Sequence, residues 1–297
     1  MTGKVRRWAP IVAAVIVVPP AFVFAGWALR GLGSVPEPPA VSGRILKEAT
    51  DDFGKLIDKR TGCAFVNNTW NKQAAGNGFR QRVFLEDAGG RIIGGWQWRA
   101  PRQIIPAVIS QPQIVCGDKP WDPASGLRRD FPFRAADRHL VVDFDAGLRA
   151  AGSYNMSFTL WAVSGLPASR SNITHEIMIW NVDSGQPRAG EKIGTVAAGG
   201  MPFEVYVEKN HRDDSGSVAF TWTYVAFIAE KPLLKGTLDT GVLTGYLIRR
   251  GLLTPDAYLT SLELGNEVLE GSGTVEIRKL DLHVFDSPAR TPSPKSN

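Results

Sequence analysis

The chain has 297 residues, 43% hydrophobic and 21% charged, with 31 Gly, 20 Pro and 9 Trp. That is a globular composition, long enough for one large β domain or two small ones. The net charge is +5, yet outside Lys4 to Arg7 the basic residues are spread out; no stripe tracks phosphates, so nucleic acid is not an expected partner.

At the N-terminus, Lys4, Arg6 and Arg7 precede an uncharged run from Trp8 to Leu29, broken only by Pro19-Pro20. Positive charge before an apolar run reads as a secretory signal or as an uncleaved anchor with its N-terminus inside. Val23-Phe24-Ala25 offers a cleavage site, and about 22 apolar residues are long enough to span a bilayer, so both readings stand. Either makes residues 1–30 an export element and the remainder extracytoplasmic, secreted or held to the membrane by that segment alone. Residues 31–43, GLGSVPEPPAVSG, read as a Pro/Gly linker; 44–286 read as one folded domain, expected to be a monomer, and 287–297 as a disordered tail.

An exported chain can hold a disulfide, and Cys63 and Cys116 are the only cysteines. Pairing is the expected state, with two buried thiols as the alternative. No CxxC or Cys/His ligand spacing occurs, so neither a metal nor another cofactor is expected.

From Val41 to Asp286 short alternating runs recur between Gly, Asn, Asp and Pro, among them CAFVNNTW, RQRVFLED, HLVVDFD, VAFTWTYVAFI and TVEIRKLDLHVF. This predicts an all-β sandwich of the jelly-roll kind. One segment differs. Thr237 to Leu253 places Leu238, Val242, Leu243, Tyr246 and Leu247 at helical spacing, with Arg249 and Arg250 in the last turn and Gly251 as the cap. One helix packed on the sandwich is expected.

THEIMIW, Thr174 to Trp180, sets one carboxylate at the edge of an apolar run. Alternation sends Ile177 and Ile179 to the core and puts Glu176, Met178 and Trp180 on the opposite face. The preceding run splits likewise: Tyr154, Met156, Phe158 and Leu160 lie on one side, Ser153, Asn155, Ser157, Thr159 and Trp161 on the other. Two strands thus present a polar and aromatic floor, as a groove would. His175 has the opposite parity to Glu176 and reads as structural, and His211 to Asp214 reads as a polar hairpin tip. A second acidic stretch holds Glu263, Glu267 and Glu270, with Gly265 and Gly271 framing the middle one; such glycines permit turns and bulges that re-aim a side chain. Slipped alternation at Arg278-Lys279 predicts a bulge there.

Taken together, these stretches resemble glycoside hydrolase family 12, the β-jelly-roll endo-β-1,4-glucanases. Glu176-Ile-Met-Ile-Trp180 is similar to that family's nucleophile strand. Tyr258-Leu-Thr-Ser261 and Gly265-Asn-Glu-Val-Leu-Glu-Gly271 are similar to its acid/base segment. Asn67-Asn68-Thr69-Trp70 resembles its Asn-Asn-Leu-Trp, Tyr154-Asn155 with Phe158 to Trp161 resembles the strand before the nucleophile, and Gly199-Gly200 with Phe203 to Tyr206 falls in order. The resemblance implies a retaining glycosidase acting on a β-glucan, with Glu176 as nucleophile and Glu267 as acid/base. It also implies sugar contacts from Asn68, Trp70, Asn155, Thr159, Trp161, Met178 and Trp180. Two departures stand out. Thr159 occupies the place of an aspartate that tunes the nucleophile; it can donate a hydrogen bond but carries no charge, and Asp143 and Asp145 are the candidates to compensate. Val268 replaces the proline after the acid/base. The alternative reading is a non-catalytic glycan-binding protein on the same sandwich, since fold alone does not prove chemistry.

Overall fold

A computed structural model describes residues 35–103, 106–123, 128–213 and 220–287. The apolar N-terminal segment and nearly all of the tail expected from the sequence lie outside them. The first strands are β1 (Arg44–Ala49), β2 (Lys55–Asp58), β3 (Cys63–Val66), β4 (Arg80–Asp87), β5 (Ile92–Ala100), β6 (Gln113–Lys119), β7 (Asp122–Pro123) and β8 (Phe133–Arg134). There follow β9 (Arg138–Val163), β10 (Ile173–Asp183), β11 (Glu191–Ala198), β12 (Met201–Asp213), β13 (Phe220–Ala229) and β14 (Lys235–Asp239). The helix α1 (Thr240–Arg249) precedes β15 (Tyr258–Gly265) and β16 (Val268–Asp286).

The strands form two packed sheets. One runs β1-β4-β5-β16-β9-β14 and the other β2-β3-β6-β15-β9-β10-β13-β12-β11. The long β9 belongs to both. Its first part pairs with β16 and β14, and its second, from Asn155 onward, pairs with β10 and β15. At the changeover Gly152 and Gly271 oppose each other with φ of 122° and 102°. A Cβ on Gly271 would meet the Ala151 carbonyl oxygen at 2.0 Å, so only glycine fits. Here β16 also slips register between Val268 and Glu270, and again at Ile277/Lys279, where the sequence pattern slipped.

Between the sheets lies one apolar core. Ile177 and Ile179 of β10 join Met156, Phe158 and Leu160 of β9 there, as alternation requires. Helix α1 is capped by the Asp239 side chain, which accepts from Gly241 N–H at 2.8 Å. It ends where Gly251 turns left-handed at φ 66°, with Gly251 N–H donating to Ile248 O and Leu252 N–H to Leu247 O. It is shorter than the pattern over Thr237–Leu253 suggested because Lys235–Asp239 pairs as β14 with β9. Cys63 and Cys116 are joined, their Cα atoms 4.5 Å apart, clipping β3 to β6.

Residues 35–43 are not a free linker. A proline-rich extended segment makes no hydrogen bonds within itself and leaves its carbonyls as acceptors, and the polar outer face of the first sheet supplies donors. Pro39 O accepts from Gln97 Nε2 (2.7 Å) and from the Thr274 hydroxyl, and Ala40 O from Arg149 (2.8 Å). In return Ser42 N–H donates to Glu276 (2.8 Å) and Gly43 N–H to Glu86 (2.7 Å).

Candidate active site

Strand β10 sits between β9 and β13, with Glu176 opposite Trp161 on one side and Tyr224 on the other. The same parity that buries Ile177 and Ile179 turns the Glu176 carboxylate out to the far face. There the indole N–H of Trp222 donates to its Oε2 at 3.1 Å. The run Trp222, Tyr224, Ala226, Ile228 on β13 alternates in step with Glu176, Met178 and Trp180, which is why these side chains meet.

Glu267 lies between β15 and β16 and is held by Asn155 at three points. Asn155 Nδ2 donates to Glu267 Oε2, Asn155 Oδ1 accepts from Glu267 N–H at 3.0 Å, and Asn155 N–H donates to Glu267 O at 3.1 Å. Gln186 Nε2 adds a bond to Glu267 O (2.8 Å). The next residue, Val268, uses the N–H a proline would lack to donate to Ser110 O at 3.0 Å. The departure from proline therefore adds a tie rather than loosening the turn.

Both glutamates line one cleft of about 430 Å³. Phe53, Trp70 and Trp121, which are 49%, 43% and 39% exposed, open onto it, so the cleft presents three large aromatic side chains to solvent side by side. Trp161 and Trp222 complete an aromatic wall, packed edge to face from Trp121 to Trp161 (4.7 Å) and from Trp161 to Trp222 (5.4 Å). Asn68, Gln111, Lys119, Arg170, His211 and Arg212 supply polar lining. Burial pushes both carboxyls above the usual carboxylate range, and the charge of Glu267 raises Glu176 further, against the Trp222 hydrogen bond. Two interacting acids of this kind lose their protons as a pair, in successive steps.

The other expected site residues divide. Asn68, Trp70 and Trp161 line the cleft with the two glutamates, whereas Asn155, Thr159, Met178 and Trp180 do not. Met178 and Trp180 lie on the anticipated face, but Ala189, from the loop after β10, and Tyr206 pack over them and leave them 0% and 3% exposed. Thr159 is paired across the sheet with Met178 and Glu263, not Glu176, and its hydroxyl meets no partner among the described residues. Asp143 and Asp145 cannot compensate for it. They belong to the half of β9 in the first sheet, bound to Lys279 and to Arg278 with Lys235. His175 is structural, its Nε2 2.6 Å from Leu252 O.

Eight lining residues escaped the sequence reading, among them His211, Lys119, Trp121 and Trp222. His211 is no hairpin tip: it lies on β12 and packs on Tyr224 with ring centres 5.2 Å apart. Lys119 and Trp121 come from the tight β6–β7 hairpin, a local turn with no periodic signature. Trp222 was legible, since its alternation with Tyr224 matches a groove-facing strand. Among the described residues no group of His, Cys, Asp and Glu is placed to hold a metal ion.

A pair of carboxyl groups from distant chain segments, sharing an aromatic-walled cleft on a β-sandwich, is what hydrolysis of a glycosidic bond requires, and the fold and cleft define a sandwich-type glycoside hydrolase. The Glycosyl hydrolase family 12 model matches residues 63–286, and the chain belongs to that family, with its cellulase-like hydrolases. The chain is 25% identical to Endoglucanase S of Pectobacterium parmentieri over 234 residues, 77% of this chain and 84% of that protein. It is similar to the family 12 xyloglucanase of Bacillus licheniformis, with a TM-score of 0.71, 26% identity, and coverage of 80% of this chain and 100% of that one. Endoglucanase 3 of Trichoderma harzianum shares the fold at a TM-score of 0.65 and 15% identity, covering 80% of this chain and 97% of that one.

Proposed function

We propose that the protein is an exported, retaining, endo-acting hydrolase of β-1,4-glucans. The observation that carries this reading is the convergence of Glu176 and Glu267 on one tryptophan-walled cleft. In a retaining reaction the two carboxyl groups stand about 5–5.5 Å apart across the scissile bond. Glu176, ionised and steadied by Trp222, attacks the anomeric carbon and forms a glycosyl-enzyme, while Glu267 gives its proton to the leaving oxygen. Glu267 then takes a proton from the incoming water, which attacks the anomeric carbon and releases Glu176. Burial raises the pKa of both groups, Glu176 to about 8 and Glu267 to about 7, which supports a singly protonated pair near neutral pH. The reaction uses the form of that pair with the proton on Glu267, although burial alone favours the proton on Glu176. Trp70, 43% exposed, offers a flat face for a glucosyl ring, Trp161 backs the cleft behind Trp121, and Asn68 adds a polar contact. The disulfide accords with an oxidising compartment.

The named activities of the relatives, endoglucanase and xyloglucanase, support a β-glucan substrate, among which cellulose, mixed-linkage glucan and xyloglucan are the polymers to compare. Proton NMR of the first products from the polymer cleaved fastest tests the mechanism. The β-anomer is expected to appear first; initial α-anomer would overturn retention. Affinity for all three polymers with no new reducing ends would instead mean a glycan-binding protein.

A further inference from the structure

Beneath the cleft lies a charged pair that the proposed reaction does not use. Leu262 and Leu264 of β15 point into the core, so Glu263 faces the cleft side, yet it is only 1% exposed. Its Oε2 lies 2.9 Å from Lys119 Nζ. Gln113 closes the triangle: with its amide turned to satisfy both neighbours, the NH2 donates to Glu263 Oε2 at 2.8 Å and the amide oxygen accepts from Lys119 at 2.8 Å. A buried ion pair is not in itself a stabilising device, because apolar residues of similar volume commonly serve as well. What it does provide is fixed charge at a fixed place, and here that place borders the catalytic cleft, which Lys119 lines.

Two routes lead from this pair to Glu176. One is direct: the charge of Glu263 opposes ionisation of Glu176 and that of Lys119 favours it. The other runs through packing. Lys119 Nζ sits 5.4 Å from the ring centre of Trp121, which abuts Trp161, which abuts Trp222, whose N–H holds Glu176. Thr159, the cross-strand partner of Glu263, contributes no charge to this region. The remaining charged or titratable groups around the nucleophile are Glu267, Tyr224 on β13, His211 (beside Glu208) and Arg212 on β12, and Arg170; Asp122 acts on Glu263 from behind.

We propose that the buried Glu263–Lys119 pair is a positioning device for Glu176, acting on its charge directly and on its orientation through the tryptophan series. This rests on reading Glu176 as the nucleophile, but the test needs no turnover. In protein labelled with 13C at the glutamate carboxyls, the Glu176 signal is identified by its loss in Glu176→Gln and titrated in wild type, Glu263→Gln and the double variant Glu263→Gln/Lys119→Met. Glu263→Gln removes the opposing charge and leaves Lys119 unneutralised, so the ionisation constant of Glu176 rises about tenfold, a midpoint lower by about one pH unit. The double variant, with both charges gone, returns the midpoint toward wild type but displaces the indole N–H resonance of Trp222 in 15N-tryptophan-labelled protein. An unmoved midpoint in Glu263→Gln overturns the proposal, as does a double variant whose Trp222 resonance stays in place. Should the single variant not fold, the double, which leaves no lone buried charge, decides by that resonance. A wild type that titrates as described yet cleaves no glucan would refute the proposed hydrolysis and leave this coupling standing.

Discussion

Acidic side chains in two regions of the sandwich, the first half of β9 and the cleft of the second sheet, meet opposite fates. On the outer face of the first sheet, the Thr237 hydroxyl and Lys279 hold Asp143 below the usual carboxylate range. At Asp145 burial works the other way, but Arg278 and Lys235 outweigh it and the net direction is again down. In the cleft of the second sheet, desolvation dominates and Glu176, Glu267 and Glu263 are all pushed up. The first group is made for staying charged in water. The second gives up its protons less readily, which suits Glu267 to act as an acid catalyst, while Lys119 works against burial to keep Glu263 charged. Position relative to solvent, rather than residue type, separates the two.

Removing either cleft acid tests the contrast most severely. Glu176→Ala and Glu267→Ala are expected to lower kcat on a natural glucan by about 10³-fold or more while leaving the circular dichroism spectrum unchanged; wild-type turnover in either would break the assignment. Away from the cleft, Cys63→Ser/Cys116→Ser should lower unfolding stability by about 2–4 kcal/mol, since the bridge closes a long loop of 53 residues' separation. Denaturant melts of the two forms, each fitted with its own m-value because the uncrosslinked unfolded chain is more expanded, would measure it.

A subtler effect concerns pH. Glu176 is raised from 4.5 to about 8 on folding, so between those values the folded state holds a proton that the unfolded state releases. Stability therefore falls as pH rises through that window. Glu176→Gln should melt several degrees above wild type at pH 8, with the difference vanishing near pH 4. A constant difference at all pH values would contradict the raised ionisation. The smallest effect is expected on the other sheet: Asp145→Asn should leave kcat/KM within about twofold of wild type, because exposed ion pairs of this kind contribute little.

Strand parity made much of this readable in advance. It separated Ile177 and Ile179 from Glu176 correctly because a two-residue period admits no compromise once one face is buried. It failed to tell how far the cleft extends. Met178 and Trp180 share the face of Glu176, yet the loop after β10 covers them, and a covering loop leaves no periodic trace. Parity was equally blind to the division of β9 between two sheets, so Asp143 and Asp145 looked near the nucleophile when they belong to the other layer. Lys119 and Trp121 were missed for a related reason, since a tight hairpin presents them from outside any alternating run. Asn155 was legible as a polar residue on the cleft face, but its partner, Glu267, could be found only in three dimensions.

The docking of residues 35–43 bears on where the catalytic unit begins. The amides of Ser42 and Gly43 cover Glu276 and Glu86, two nearly buried acids whose like charges disfavour each other at Glu86. A protein trimmed to start at position 44 would lose both donors and leave neighbouring negative groups facing one another without a lid. Such a truncation would tolerate acid better than alkali, and the boundary that respects the architecture falls before Val35.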